Sequence, residues 1–126
     1  MGLFFFAKIQ FIFIPYLGII DYLCINKKNM IIIGSELFIK FCKKHIDAEI
    51  ALAKWVQEVT VAEWKNHADL KNSFATADYV GNDRYVFNLK GNHYRIVVVV
   101  VFFAGSAEIR FIGTHSQYDN IDVKTI

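Results

Sequence analysis

Six side chains between residues 84 and 118 are of types that could work together on a phosphodiester: Arg84, Lys90, Arg95, Arg110, His115 and Tyr118. Attack on phosphorus by a neighbouring hydroxyl needs a group to take its proton, cations to hold the phosphate as negative charge builds, and an acid for the leaving oxygen. Histidine can perform either proton transfer near neutral pH. Arginine grips phosphate with a planar fork, and lysine adds a point charge. Tyrosine can stack on a splayed base or orient a phosphate. An RNA backbone, with its own 2′-hydroxyl as nucleophile, is the substrate that suits this set. Each residue also has a plainer role open to it. Arg95 and Arg110 would serve as charged guards on a sheet face, Tyr118 as a half-buried amphipathic ring, and His115 and Lys90 as turn residues.

These residues need a sheet to position them. From Asp78 the apolar pattern alternates as in strands: "DYV", "RYVFNL", "HYRIVVVVVFF" and "AEIRFIG" are separated by "GND", "KGN" and "AGS", which read as tight turns in a four-stranded antiparallel meander. Ile96 to Phe103 is apolar at every position, so both faces of that strand must be covered, one by helices and the other by a curled sheet or a partner. Alternation across one hairpin would bring Arg95 and Arg110 near each other, with Lys90 and Arg84 on the same cationic surface and His115 and Tyr118 leaving the last strand toward its rim.

Upstream, "MIII" before Gly34 suits a short buried strand. Ser35 is placed to cap a helix whose apolar face is Leu37, Phe38, Phe41 and Cys42. Asp47 is placed to cap a second, with Ile50, Ala51, Ala53 or Lys54, Val56 and Val59 facing inward and Trp55 on the flank. The short link around His45 and Ile46 predicts a two-helix hairpin, and a further helical turn starts near His67 or Ala68. The expected fold is α+β, in the order β-α-α-(α)-β-β-β-β. His93 reads as structural, and His45 and His67 as helix-end residues.

The chain of 126 residues is long enough for one domain with a real core. Its net charge is +2, and setting aside Lys8, Lys27, Lys28 and Asp21 leaves 11 charges of each sign, so net charge does not announce a nucleic-acid binder. Cys24 and Cys42 form no CxxC and no disulfide framework, and both read as reduced thiols. The histidines lie 22 to 26 residues apart without HxxxH or HExxH spacing, which argues against a metal site. Residues 1–29 are apolar, yet Lys8, Gln10, Pro15 and Asp21 interrupt them and no export-cleavage pattern follows. They read as an extension upstream of a working domain at 30–126, with a membrane anchor as the second reading.

From Met30 to Ile126 the sequence resembles the HigB family of type II toxins, a branch of the RelE-like mRNA interferases. The resemblance is carried by "AEIALAKWVQEVTVAEWKNHADLKNSFATADYVGNDRYVFNLKGNHYRIVVVVVF" and "EIRFIGTHSQYDNID". It implies a RelE-like fold and a cytoplasmic toxin held inactive by a HigA-like helix-turn-helix antitoxin. The implied activity is a metal- and cofactor-free endoribonuclease that cuts mRNA in the ribosomal A site and leaves a cyclic phosphate. Arg95 in "HYRIVV" is similar to the strand arginine that binds the scissile phosphate, and His115 and Tyr118 occupy the region of the C-terminal catalytic side chains. The pattern departs at Val86 and Asn88, where RelE carries lysines. His115 is then the first candidate for general base, with Lys90 or Arg110 as electrostatic support. The rival reading is a non-catalytic module of the same fold that binds antitoxin or RNA.

Overall fold

The computed structural model describes residues 30–126. The readings made of residues 1–29, including Cys24, lie outside the described residues.

Among the described residues, five strands form one mixed sheet in the order β1-β5-β4-β3-β2. β1 (Ile31–Ile33) pairs parallel to β5 (Ser106–Thr114), while β2 (Asp78–Gly81), β3 (Arg84–Leu89), β4 (Tyr94–Val101) and β5 are antiparallel neighbours in sequence order. The expected meander is present, with the N-terminal strand added at its far edge. The β2–β3 turn places Asn82 and Asp83 at φ 52 and 62, the left-handed geometry that matches a two-residue hairpin to strand twist. β4 is shorter than its apolar run: Phe102 and Phe103 lie in the turn after Val101, with Phe103 97% exposed, so hydrophobicity alone overextended the strand.

α1 (Glu36–Lys44) and α2 (Glu49–Thr60) are joined by a 3-10 turn, Ile46–Ala48, and meet edge-to-face through Phe38 and Trp55. Phe38, Phe41 and Cys42 of α1 are buried as their spacing predicts. Two expected caps are corrected. Ser35 is already helical in φ and ψ and its side chain caps nothing, whereas Asp47 sits inside the 3-10 turn and sends its carboxylate to the sheet. The buried stripe of α2 is Leu52, Trp55, Val56, Val59 and Thr60; Ile50 is 84% exposed, so the expected face is rotated and Trp55 belongs to the core rather than the flank. The third helix, α3 (His67–Ser73), starts where expected, capped by Asn66 accepting from the Asp69 amide.

One sheet face carries Tyr85, Phe87, Leu89, Tyr94, Ile96, Val98, Val100, Ala107 and Ile109 into the core against the helices. Val86 and Val97 pair on the opposite face and are equally sealed, at 2% and 0% exposure. α4 (His115–Tyr118) packs on β4 and β5, and the tail is tied down where Arg84 donates to the Ile126 carbonyl oxygen at 2.6 and 3.1 Å and the Asn82 amide donates to the Lys124 carbonyl.

Candidate functional site

β4 and β5 converge on a rim where the ladder ends and α4 begins. The last pairs are Arg95 with Gly113 and Tyr94 with Thr114. The Thr114 side chain accepts from the Gln117 amide at 3.2 Å, and Gln117 Oε1 accepts from the Thr114 amide at 2.9 Å, a reciprocal capping box that sets His115 at the first helical position. Gly113 allows this fold-back: a Cβ there would lie 2.6 Å from Phe111 Cζ and 2.7 Å from Gln117 Oε1, so a larger residue would push aside the Phe111 ring and the Gln117 amide that completes the box.

Alternation along β4 puts Arg95 on the face away from the helices. The Tyr118 ring covers its guanidinium, Cζ lying 4.9 Å from the ring centroid, a cation–π contact that also fixes the plane of the fork. Arg95 Nη2 donates to Asn92 Oδ1 at 3.1 Å, while the buried Nε has no partner among the described residues. Beside this arginine is an open pocket of about 380 Å³ lined by Asn92, His93, Thr114, His115 and Ser116. His115 Nδ1 lies 3.8 Å from Asp119 Oδ1, an ion pair when the ring is protonated. Arg95, His115 and Tyr118 are therefore brought together on one rim.

The other three cations do not join them. Arg110 falls at a β-bulge, where the register slips between Val97 and Val98, and pairs with Glu108 at 3.4 Å. It lies three residues along β5 from Gly113, the partner of Arg95, or about 10 Å of strand. Arg84 pairs with Val99 and is spent on the C-terminal tail. Lys90, in the β3–β4 loop, reaches Asp47 at 2.7 Å. The expected single cluster of four cations is corrected to one arginine at the pocket and three basic residues with structural partners. Asp47 also accepts from the Tyr94 hydroxyl at 2.7 Å, and its hydrogen bonds with Lys90 and then Tyr94 lower its pKa; the same bond raises that of Tyr94. This network lashes the α1–α2 connection to the loop that carries Asn92 and His93.

His93, which reads as structural in the sequence, is a residue of the pocket. Its Nδ1 lies 2.8 Å from the Lys90 carbonyl oxygen, and its ring lines the pocket with His115. The signal was present: His93 is two residues before Arg95, hence on the same side of the chain, and an extended ladder would place it across from His115. His45 stacks on Phe41 at the end of α1, and His67 bonds the Tyr85 hydroxyl at the start of α3, both as expected of helix-end residues. Among the described residues no group of three His, Cys, Asp or Glu side chains could hold a metal ion, and no helix is long and apolar enough to cross a membrane.

A comparison with curated proteins finds no match. The family model for the HigB toxin, described as the RelE-like toxic component of a toxin–antitoxin system, matches residues 48–121, which span α2 to the end of α4 and include every side chain around the pocket. With more than half of its length so matched, and with an α+β fold that agrees, the chain belongs to the HigB family of RelE-like toxins.

Proposed function

We propose that this toxin is an endoribonuclease that cuts messenger RNA in the ribosomal A site by 2′-hydroxyl attack, leaving a 2′,3′-cyclic phosphate and a 5′-hydroxyl. The observation that carries the reading is the meeting of a fork-shaped cation with an imidazole at one open pocket: Arg95 beneath Tyr118, and His115 at its wall. Arg95 offers the scissile phosphate its edge nitrogens, the edge that already reaches Asn92 on the pocket lining. His115 moves a proton. Tyr118 keeps the guanidinium plane in place and offers its ring to a splayed base. Lys90, Arg84 and Arg110 are left to structural pairs, so the charge built up at phosphorus is met chiefly by Arg95. A toxin of this family has an antitoxin partner; a helix-turn-helix protein of HigA type is the partner proposed here, acting on a cytoplasmic toxin.

The test is expression of the parent, Arg95→Ala and His115→Ala, with mapping of RNA ends and growth. Arg95→Ala should lose a factor of about 100 to 1,000 in cleavage, the usual cost of removing one transition-state charge contact, and His115→Ala about 100 to 10,000, the usual contribution of a proton-transfer group. Circular dichroism and antitoxin capture should be unchanged, since neither side chain belongs to the hydrophobic core. Folded variants that arrest growth as the parent does would overturn the site. If the parent captures antitoxin but makes no cuts in translated messages, the rival reading of a non-catalytic binding module holds instead.

A further inference from the structure

We propose that the site holds two proton-transfer groups, with His93 as the general base and His115 as the general acid. The proposal rests on the nuclease reading and extends it to a residue that reading does not use. Tyr94 and Thr114 are the last pair of the β4–β5 ladder, and His93 and His115 are the next residue on each chain. Both residues line the same pocket, together with Asn92, which accepts from the Arg95 guanidinium. A phosphate held by Arg95 would therefore have an imidazole on either strand to flank it.

Their polar neighbours divide the roles, a hydrogen-bonded carbonyl for His93 and a nearby carboxylate for His115. His93 Nδ1 faces the Lys90 carbonyl oxygen at 2.8 Å, and a carbonyl can only accept. The proton of the neutral ring is thus on Nδ1, leaving a lone pair on Nε2 to receive one. His115 Nδ1 faces a carboxylate, Asp119 Oδ1 at 3.8 Å, a contact that is an ion pair only with the ring doubly protonated. In that form the Nε2 proton is the one to give. This assignment reverses the base role that the sequence suggested for His115, because it is the partners of the two rings, not their residue type, that differ.

The step balances without a co-reactant. The 2′-hydroxyl proton passes to His93 Nε2, the 2′-oxygen forms its bond to phosphorus, the bond from phosphorus to the 5′-oxygen breaks, and His115 Nε2 gives its proton to that oxygen. The products are the 2′,3′-cyclic phosphate and the 5′-hydroxyl.

The experiment compares two messages bound in ribosomes, one with an ordinary A-site linkage and one with sulfur in place of the leaving 5′-oxygen, which departs as thiolate and needs no acid. On the oxygen linkage His93→Ala and His115→Ala should each be slower by about 100- to 10,000-fold. On the sulfur linkage His115→Ala should return to within a few-fold of the parent, and His93→Ala should stay slow. His93→Asn keeps a donor for the Lys90 carbonyl without a basic nitrogen and should match His93→Ala, which separates proton transfer from support of the loop. A His93→Asn variant as fast as the parent, or rescue by sulfur of His93→Ala instead of His115→Ala, would overturn the assignment while leaving the nuclease reading standing. A parent protein that cuts neither message would overturn both.

Discussion

Arg95 is held by what surrounds it more than by its own strand. The Tyr118 ring lies on the guanidinium and Asn92 takes one of its donors, so the fork is already oriented by the protein alone. Preorganised charge of this kind costs no rearrangement at the moment of reaction. The ring, not the hydroxyl, makes the contact. Tyr118→Phe is therefore expected to cleave within about 2-fold of the parent and Tyr118→Leu to lose about 10-fold, as a cation–π contact worth about 1.4 kcal/mol would require. Rates measured on the same message decide it. Equal loss in both variants would move the role to the hydroxyl.

At the scale of elements, the rim is built by two braces. The Thr114–Gln117 box fixes α4 on the end of β5, with Gly113 making room for the Gln117 side chain. Gly113→Ala is expected to displace the Gln117 amide from the box, loosen α4 and reduce cleavage with only a small loss of thermal stability, because α4 buries no residue fully. The second brace is Asp47, which ties the 3-10 turn to Lys90 and Tyr94 across the molecule. Its carboxyl pKa is lowered by those hydrogen bonds, so the stabilisation is present above the ordinary aspartate range and is lost as pH falls through the lowered value. Asp47→Ala should have a lower denaturant midpoint than the parent at neutral pH, and the two midpoints should approach each other in acid. A gap that stays constant with pH would show that the carboxylate is not the source.

The whole molecule solves the problem of a strand that is apolar on both sides. Helices cover one face of β4, α4 packs on the other where Tyr118 lies on Arg95, the C-terminal tail is tied to Arg84, and Val86 and Val97 are both sealed. Arg84 belongs to this closure and not to the site. Arg84→Ala is expected to release the tail and lower stability by about 1 kcal/mol, the size of a hydrogen bond to a charged group at a half-exposed position. For a domain near this size that is about 4–8 °C in Tm. Cleavage should change little beside the loss in Arg95→Ala, and comparing melting and cleavage of the two variants separates a tail tether from a phosphate ligand.

The meander, the turns, the buried stripe of α1 and the start of α3 are all legible in the sequence, because period and turn chemistry are local. So are the types that gather at the rim: Arg95 two residues into the apolar strand, and His115 and Tyr118 just beyond the last one. Which face of α2 turns inward, and that Asp47 is a tether rather than a cap, depend on partners dozens of residues away. Arg110 shows the limit most clearly. Counting by twos along β5 puts it beside Arg95, but a single extra residue at the bulge shifts the register, and nothing in the residues around it announces that slip. The same long-range pairing ends at Tyr94 and Thr114, which leaves His93 and His115 as neighbours of its last pair on one pocket. The kinds of groups available for chemistry follow from the chain itself, whereas their membership in one site was decided by strand register, a property of two segments in contact that neither carries alone.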